Sequence, residues 1–169
     1  MNQKRFGINV LAFLSGIVMV VAMFYPWWSI KLTIMGQTDI YPYLVDGPLS
    51  QLVGYKRSPQ MTILTGLLIA CILLCLVGGF LRGKRARIVL AVSGVLTFLA
   101  AWRFAARMAE VAGRFSLSIQ GYGRGSFGGF AKVDVWTWLR PGMYLIIIGG
   151  VLPIVASVFV PKLKLNKAQ

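Results

Sequence analysis

The sequence predicts an α-helical membrane protein: a four-transmembrane-helix bundle carrying a small extracellular antiparallel β-sheet built from its two outer loops. Three observations lead there. Of 169 residues, 57% are hydrophobic and 13% charged, about half the charge of an ordinary soluble domain, and too little to coat a water-facing surface. Four segments approach the roughly 20 apolar residues that cross about 30 Å of hydrocarbon. Between them the pattern changes to strict apolar/polar alternation, the period of a strand with one buried face.

The first span is Phe6–Tyr25, "FGINVLAFLSGIVMVVAMFY". Lys4 and Arg5 precede it, as basic residues precede a secretory signal. Its apolar part is longer than a signal core and no A-x-A-like cleavage site follows, so a retained helix is expected. Asn9, its main polar residue, is placed to hydrogen-bond across the bundle. Pro26 ends the helix near the headgroups, and Tyr25, Trp27 and Trp28 are aromatics of the interfacial type.

The first outer loop, 26–60, then alternates: Ile30, Leu32 and Ile34 apolar, Ser29, Lys31 and Thr33 polar. A turn at Gly36-Gln37 leads to a second strand, Thr38–Val45, interrupted by Pro42 at an edge or bulge. Asp46-Gly47-Pro48 reads as a further turn. The second span is 61–81. Its Cys71 and Cys75 are four apart on one helix face, where parallel side chains make a direct bridge unfavourable. With no further soft ligand nearby, they read as small packing residues.

An inner loop, 82–87, "RGKRAR", separates the second span from the third, 88–107. The clean apolar part of the third covers only about 22 Å, so the helix must run on through Arg103 to Arg107, whose long side chains reach the headgroups. Arg103, Arg107 and Glu110 share a face, at the outer mouth of the bundle. Snorkelling plus an Arg107–Glu110 pair explains them; an anion-favouring vestibule is the functional alternative. Ala101, Ala105 and Ala109 form a neighbouring stripe suited to close helix packing.

The second outer loop, 108–142, opens with "FSLSI" (115–119), another alternating stretch, and continues into "GYGRGSFGGF" (121–130). Those glycines do not open a helix after a buried strand, so they form no phosphate-binding fingerprint. They predict a mobile hairpin tip, with Tyr122, Arg124, Phe127 and Phe130 available to a partner because aromatics and Arg dominate interface hot spots. "AKVDVWTWL" (131–139) is the return strand, and Trp136 and Trp138 mirror Trp27 and Trp28 as interface anchors. Two isolated hairpins are marginal in water; pooled into one four-stranded sheet over the bundle they become stable. The fourth span is 143–160, kinked by Pro153, and 161–169 is a cytoplasmic tail.

Charge orients the chain. The net charge is +14, which in a soluble protein would suggest nucleic acid; in a membrane protein Lys and Arg collect beside the spans for topology instead. Residues 1–5, 82–87 and 162–169 hold nine of the 18 basic residues and none of the four acids. This density sets both termini and "RGKRAR" in the cytoplasm of a multi-pass cell-membrane protein.

The layout resembles the claudin and peripheral-myelin-protein superfamily: four helices, both termini inside, and a strand-forming first outer loop that starts near a tryptophan. Trp27 or Trp28 stands at that tryptophan. "DGPLSQL" (46–52) lies where the family has Gly-Leu-Trp, without its tryptophan, and neither outer loop holds a cysteine for the family's disulfide. The resemblance implies the fold and no specific partner.

No catalytic set emerges. There is no histidine, the default proton shuttle near neutral pH and commonest metal ligand. Asp39, Asp46 and Asp134 fall in strand or turn contexts, where cross-strand or solvated charge is their ordinary role. No Asp, Glu or Lys lies mid-span, contrary to what a proton-coupled pump requires. The expectation is a non-enzymatic, cofactor-free accessory or structural subunit. Its partners would be membrane lipids and either other membrane-protein subunits or further copies of itself, docked on the outer sheet. An oligomeric channel or small-solute carrier with an outer vestibule at Arg103 and Arg107 is the alternative.

Overall fold

A computed structural model describes residues 9–53, 57–113, 116–127 and 131–159. Residues 6–8 of the first span, Phe115, Phe130 and the 161–169 tail lie outside that set, as do the side chains of residues 52–53, 125–127 and 131–132. The elements are α1 (Val10–Phe24), β1 (Trp28–Leu32), β2 (Gly36–Ile40), β3 (Val45–Asp46), α2 (Pro48–Val53), α3 (Pro59–Phe80), α4 (Gly83–Gly113), β4 (Gly121–Phe127), β5 (Ala131–Leu139) and α5 (Pro141–Phe159).

Three helices, α3, α4 and α5, are long and apolar enough to cross a membrane. The described part of α1 is equally apolar but has 15 residues, about 22 Å. α1 packs on α3 and α5, and α4 packs on the same two, so the four close a ring. α1 and α4 run toward the sheet and α3 and α5 run away from it, so Val10 and Phe159 lie at the end opposite the sheet.

The bundle is close-packed inside and apolar outside. Ile17, Leu73, Val95 and Ile148 are exposed, an arrangement that suits hydrocarbon rather than water. Inside, polar groups are satisfied in pairs, as a medium without water demands. Ser15 Oγ donates to Gly149 O at 2.7 Å, Ser93 Oγ to Cys71 O at 2.9 Å, and the Cys75 thiol to Ser15 Oγ at 3.3 Å. Asn9 caps α1 through Ala12 N, and its Nδ2 reaches Ala156 O across the bundle at 3.4 Å. α4 and α5 cross closely at Gly94, where an added Cβ would lie 2.5 Å from Ile154 Cγ1 and 2.7 Å from Gly150 O.

α4 is longer at both ends than the sequence implies. It starts at Gly83, so the expected inner loop 82–87 shrinks to Leu81 and Arg82 between two helices. Gly83 takes φ +66°, which turns the chain sharply. Lys, Arg and Ala beyond it are good helix formers, and Ala86 is fully buried. At the other end α4 runs past Arg107 to Gly113 because Phe104, Met108 and Ala112 keep one face buried.

Among the described residues, five strands form one antiparallel sheet in the order β3-β2-β1-β5-β4. The two outer loops do pool their strands, with β1 paired to β5. Three strand assignments change. The alternating stretch expected to run to Met35 ends as a strand at Leu32, and the turn falls at residues 33–35, so Gly36 and Gln37 open β2 instead of forming the turn. The expected strand Thr38–Val45 splits, because Pro42 lies in a turn closed by Tyr41 N to Leu44 O at 2.9 Å; β3 resumes at Val45. Residues 116–119 of "FSLSI" form no strand: Ser116 takes φ 57°, and Leu117 and Ile119 tuck against the core. The glycine-rich stretch, expected as a mobile tip, supplies β4 instead. Gly121 and Gly123 face inward on β4, and a Cβ at Gly123 would meet Leu117 Cδ2 at 2.1 Å. Glycine lets the strand lie over Leu117.

Candidate functional site

Two regions at the sheet end of the molecule hold the residues singled out from sequence: the outward face of the sheet and a cavity beneath it.

Trp27 and Trp28 are 0% exposed, so neither is an interfacial anchor. Trp27 is the joint between bundle and sheet. Its Nε1 donates to Ala22 O at 2.8 Å, its ring meets Phe104 edge-on at 5.0 Å, its N–H reaches Ile40 O, and its carbonyl accepts from Arg140 N. Trp28 Nε1 donates to Ile119 O at 2.7 Å, pinning the 116–120 segment beneath the sheet. Pairs of aromatic rings with polar handles serve this role well: a large apolar body is buried and the N–H still finds a partner. Among the described residues, Phe24, Tyr25, Trp102 and Tyr144 are exposed aromatics at the sheet end of the helices. The sequence signal for Trp102 was its place beside Arg103; Tyr144 sits in the first turn of α5.

Trp136 and Trp138 lie on the outward face of β5. That face also carries Ser29 and Lys31 of β1, Gln37 and Asp39 of β2, Asp46 of β3, Asp134 of β5 and Tyr122 and Arg124 of β4. Trp138 is half-buried, with the Arg140 guanidinium 6.0 Å from its ring centre. Trp136 and Tyr122 are register partners whose rings are 5.2 Å apart. The Tyr122 hydroxyl donates to Asp134 Oδ1 at 2.6 Å, and Arg124 Nε donates to the same oxygen at 3.2 Å. The Tyr122 hydrogen bond, with smaller help from Arg124, holds the Asp134 carboxyl below the usual aspartate range. Tyr122 and Arg124 therefore come together as expected, but on an ordered strand. Phe127 is paired to Ala131 by its backbone at the far end of β4.

Asp39 accepts from Gln37 Nε2 at 2.8 Å and from the Ser29 hydroxyl, and faces Asp46 in register. Among the described residues no group of three His, Cys, Asp or Glu converges on a common point.

The two sheet edges differ. β3 is two residues long and packs against α2. β4 is seven residues long, and among the described residues no strand or helix pairs with its outer edge. It contains no proline and one charged residue, Arg124. Exposed edges are usually shortened, covered or heavily charged.

Beneath the inner sheet face lies a cavity of about 670 Å³, within the roughly 300–1,000 Å³ typical of ligand sites. The sheet and α2 form its roof, and the first turns of α3 and the outer part of α4 form its walls. Ile40, Met61, Leu64, Leu67, Phe104 and Met108 make it largely apolar, and Arg103 and Arg107 also line it. Arg107 Nη1 pairs with Glu110 at 2.6 Å. Arg103 is exposed and makes no ion pair or hydrogen bond among the described residues. The predicted mouth of the bundle is thus a closed-roofed apolar chamber with cationic side chains.

No protein-family model matches the chain, and no curated protein matches it in sequence.

Proposed function

We propose that this chain is a non-enzymatic integral membrane protein with four spans and cytoplasmic termini in the cell membrane, a structural or accessory subunit that assembles through its outer sheet. The single observation behind this reading is the β4 edge: seven unpaired residues beside an exposed Tyr122–Arg124–Trp136 patch. A free edge is a template for strand addition, in which backbone hydrogen bonds supply affinity and alternate side chains supply register.

The occupant we infer is a second copy of this chain. An antiparallel β4–β4 pair about a two-fold axis is self-complementary. With the axis at Gly123, Tyr122 of each chain faces Arg124 of the other, which sets an aromatic ring against a guanidinium rather than like charges together. The likeness to the claudin superfamily supports this reading at the level of architecture alone.

The test is cysteine cross-linking in native membranes. Chains carrying Tyr122→Cys and chains carrying Arg124→Cys, each in a Cys71→Ala, Cys75→Ala background, should cross-link when co-expressed and far less when expressed alone. A chain that stays monomeric at native density, with no cross-link in the mixture, refutes the assembly.

The channel alternative gains less support. Met19, Leu68, Cys71, Cys75, Leu90 and Ile146 fill the bundle interior at 0–1% exposure, so a pore through a single chain finds no support among the described residues. Parent protein that conducts in liposomes would reverse this preference.

A further inference from the structure

We propose that the cavity under the sheet is a lipid site: it takes one acyl chain of an anionic phospholipid from the surrounding leaflet, with the phosphate held by Arg103 and Arg107. The inference rests on membrane embedding and is independent of the β4 assembly.

Depth is the first argument. α3 enters at Pro59 and α4 leaves at Gly113, so the cavity occupies the sheet end of both helices. Its α4 wall runs from Ala100 to Val111, about 16 Å of helix axis. Phe104 on this stretch and Leu64 and Leu67 on the facing wall of α3 are apolar, and the two arginines stand where the clean apolar part of α4 gives out. A phospholipid has the same layout, a charged group above a hydrocarbon chain.

Access is the second. Ile63 and Gln60 of α3 line the cavity and are also exposed on the outer surface. Ile63 is 72% exposed. Wall and outer surface are therefore shared at α3, and the mouth opens on the side that faces lipid.

Charge is the third. The cavity lining includes two guanidinium groups and no carboxylate. Arg107 uses one terminal nitrogen on Glu110, and a guanidinium has five N–H donors. Arg103 is unengaged among the described residues. Planar, forked donors of this kind match a phosphate in bidentate geometry, and basic groups at headgroup depth select anionic lipid. A lipid with no net negative charge would leave Arg103, which has no ion pair among the described residues, without a full counter-charge.

The experiment is native mass spectrometry of the full chain released from nanodiscs that hold equal phosphatidylglycerol and phosphatidylcholine with identical acyl chains. The parent protein should retain phosphatidylglycerol preferentially. Arg103→Gln should lower that retention about fivefold and leave phosphatidylcholine unchanged, with Arg107→Gln as a second, independent variant. Leu64→Trp, which fills the chamber from its half-buried wall, should lower retention of both lipids. Equal retention by the parent overturns the proposal. So does a phosphatidylglycerol adduct that survives Leu64→Trp, since that lipid would sit outside the cavity. Palmitate that outcompetes phosphatidylglycerol would overturn the phospholipid source. Thermal unfolding of each variant in the same detergent separates lost binding from lost fold.

Discussion

Gly94→Ala should destabilise the bundle, and Gly66→Ala should stabilise it, although both replace a helical glycine in an apolar span. At Gly94 the new methyl would lie 2.5 Å from Ile154 Cγ1, 3.1 Å from Ile154 Cδ1 and 2.7 Å from Gly150 O. Comfortable contacts are about 3.5–4.0 Å, so the shortfall is about 1 Å. Ile154 has rotamers to explore; the Gly150 carbonyl is backbone and can move only with α5. Overpacking of this kind costs about 1–3 kcal/mol, against a propensity gain of up to about 1 kcal/mol for Gly to Ala. The net expectation is a loss of about 1–2 kcal/mol. At Gly66 nothing lies within 4 Å of the added atom, so the propensity gain stands alone, about 0.5–1 kcal/mol. For a chain of this length 1 kcal/mol moves Tm by about 2–4 °C. Thermal unfolding in one detergent should therefore place Gly94→Ala several degrees below the parent and Gly66→Ala a few degrees above it. Equal melting temperatures for the two variants would mean that α4 and α5 do not cross at this distance.

Trp27→Ala should cost about 3–5 kcal/mol, the range for a buried large aromatic, whereas Trp136→Ala should cost under about 1 kcal/mol while weakening copy-to-copy cross-linking; denaturation and cross-linking of the same two variants check both halves. Tyr122→Phe removes the main donor that holds Asp134 below the usual range, so the carboxyl should titrate higher, as read by NMR. Because the folded value is depressed, that ion's contribution is present above the ordinary aspartate value of about 3.9 and fades as pH falls through the lower folded value; the patch should be insensitive to pH between about 5 and 8 and weaken only in acid. Cys71 and Cys75 are fully buried, so a maleimide should label neither in the folded protein and both after denaturation in SDS.

Much of this architecture follows from patterns that act locally. Apolar runs of span length predict helices because hydrocarbon leaves the backbone no other partner for its hydrogen bonds, and among the described residues three of the four expected helices are of spanning length. Alternation over Ser29–Met35 and Ala131–Leu139 locates β1 and β5, although β1 stops at Leu32 and its outward-facing Ser29 is buried as well. What the sequence hides is which hydrophobic face ends up inside. Trp27 and Trp28 have the composition and position of headgroup anchors, yet the chain folds back over them: the end of β2, the start of α5 and Phe104 of α4 converge from distant parts of the sequence. Local pattern carries no trace of such contacts. The same limit explains β4. Five glycines between residues 121 and 129 read as freedom, since glycine weakens a strand on its own terms. Gly123 is instead required by Leu117, six residues earlier, which occupies the space a side chain would need. "FSLSI" shows the converse: its alternation is genuine, but Leu117 and Ile119 satisfy it by packing under a sheet rather than joining one. The cavity was legible only through its charges. Arg103 and Arg107 marked the depth at which the bundle opens; the apolar chamber behind them needed the sheet to roof it.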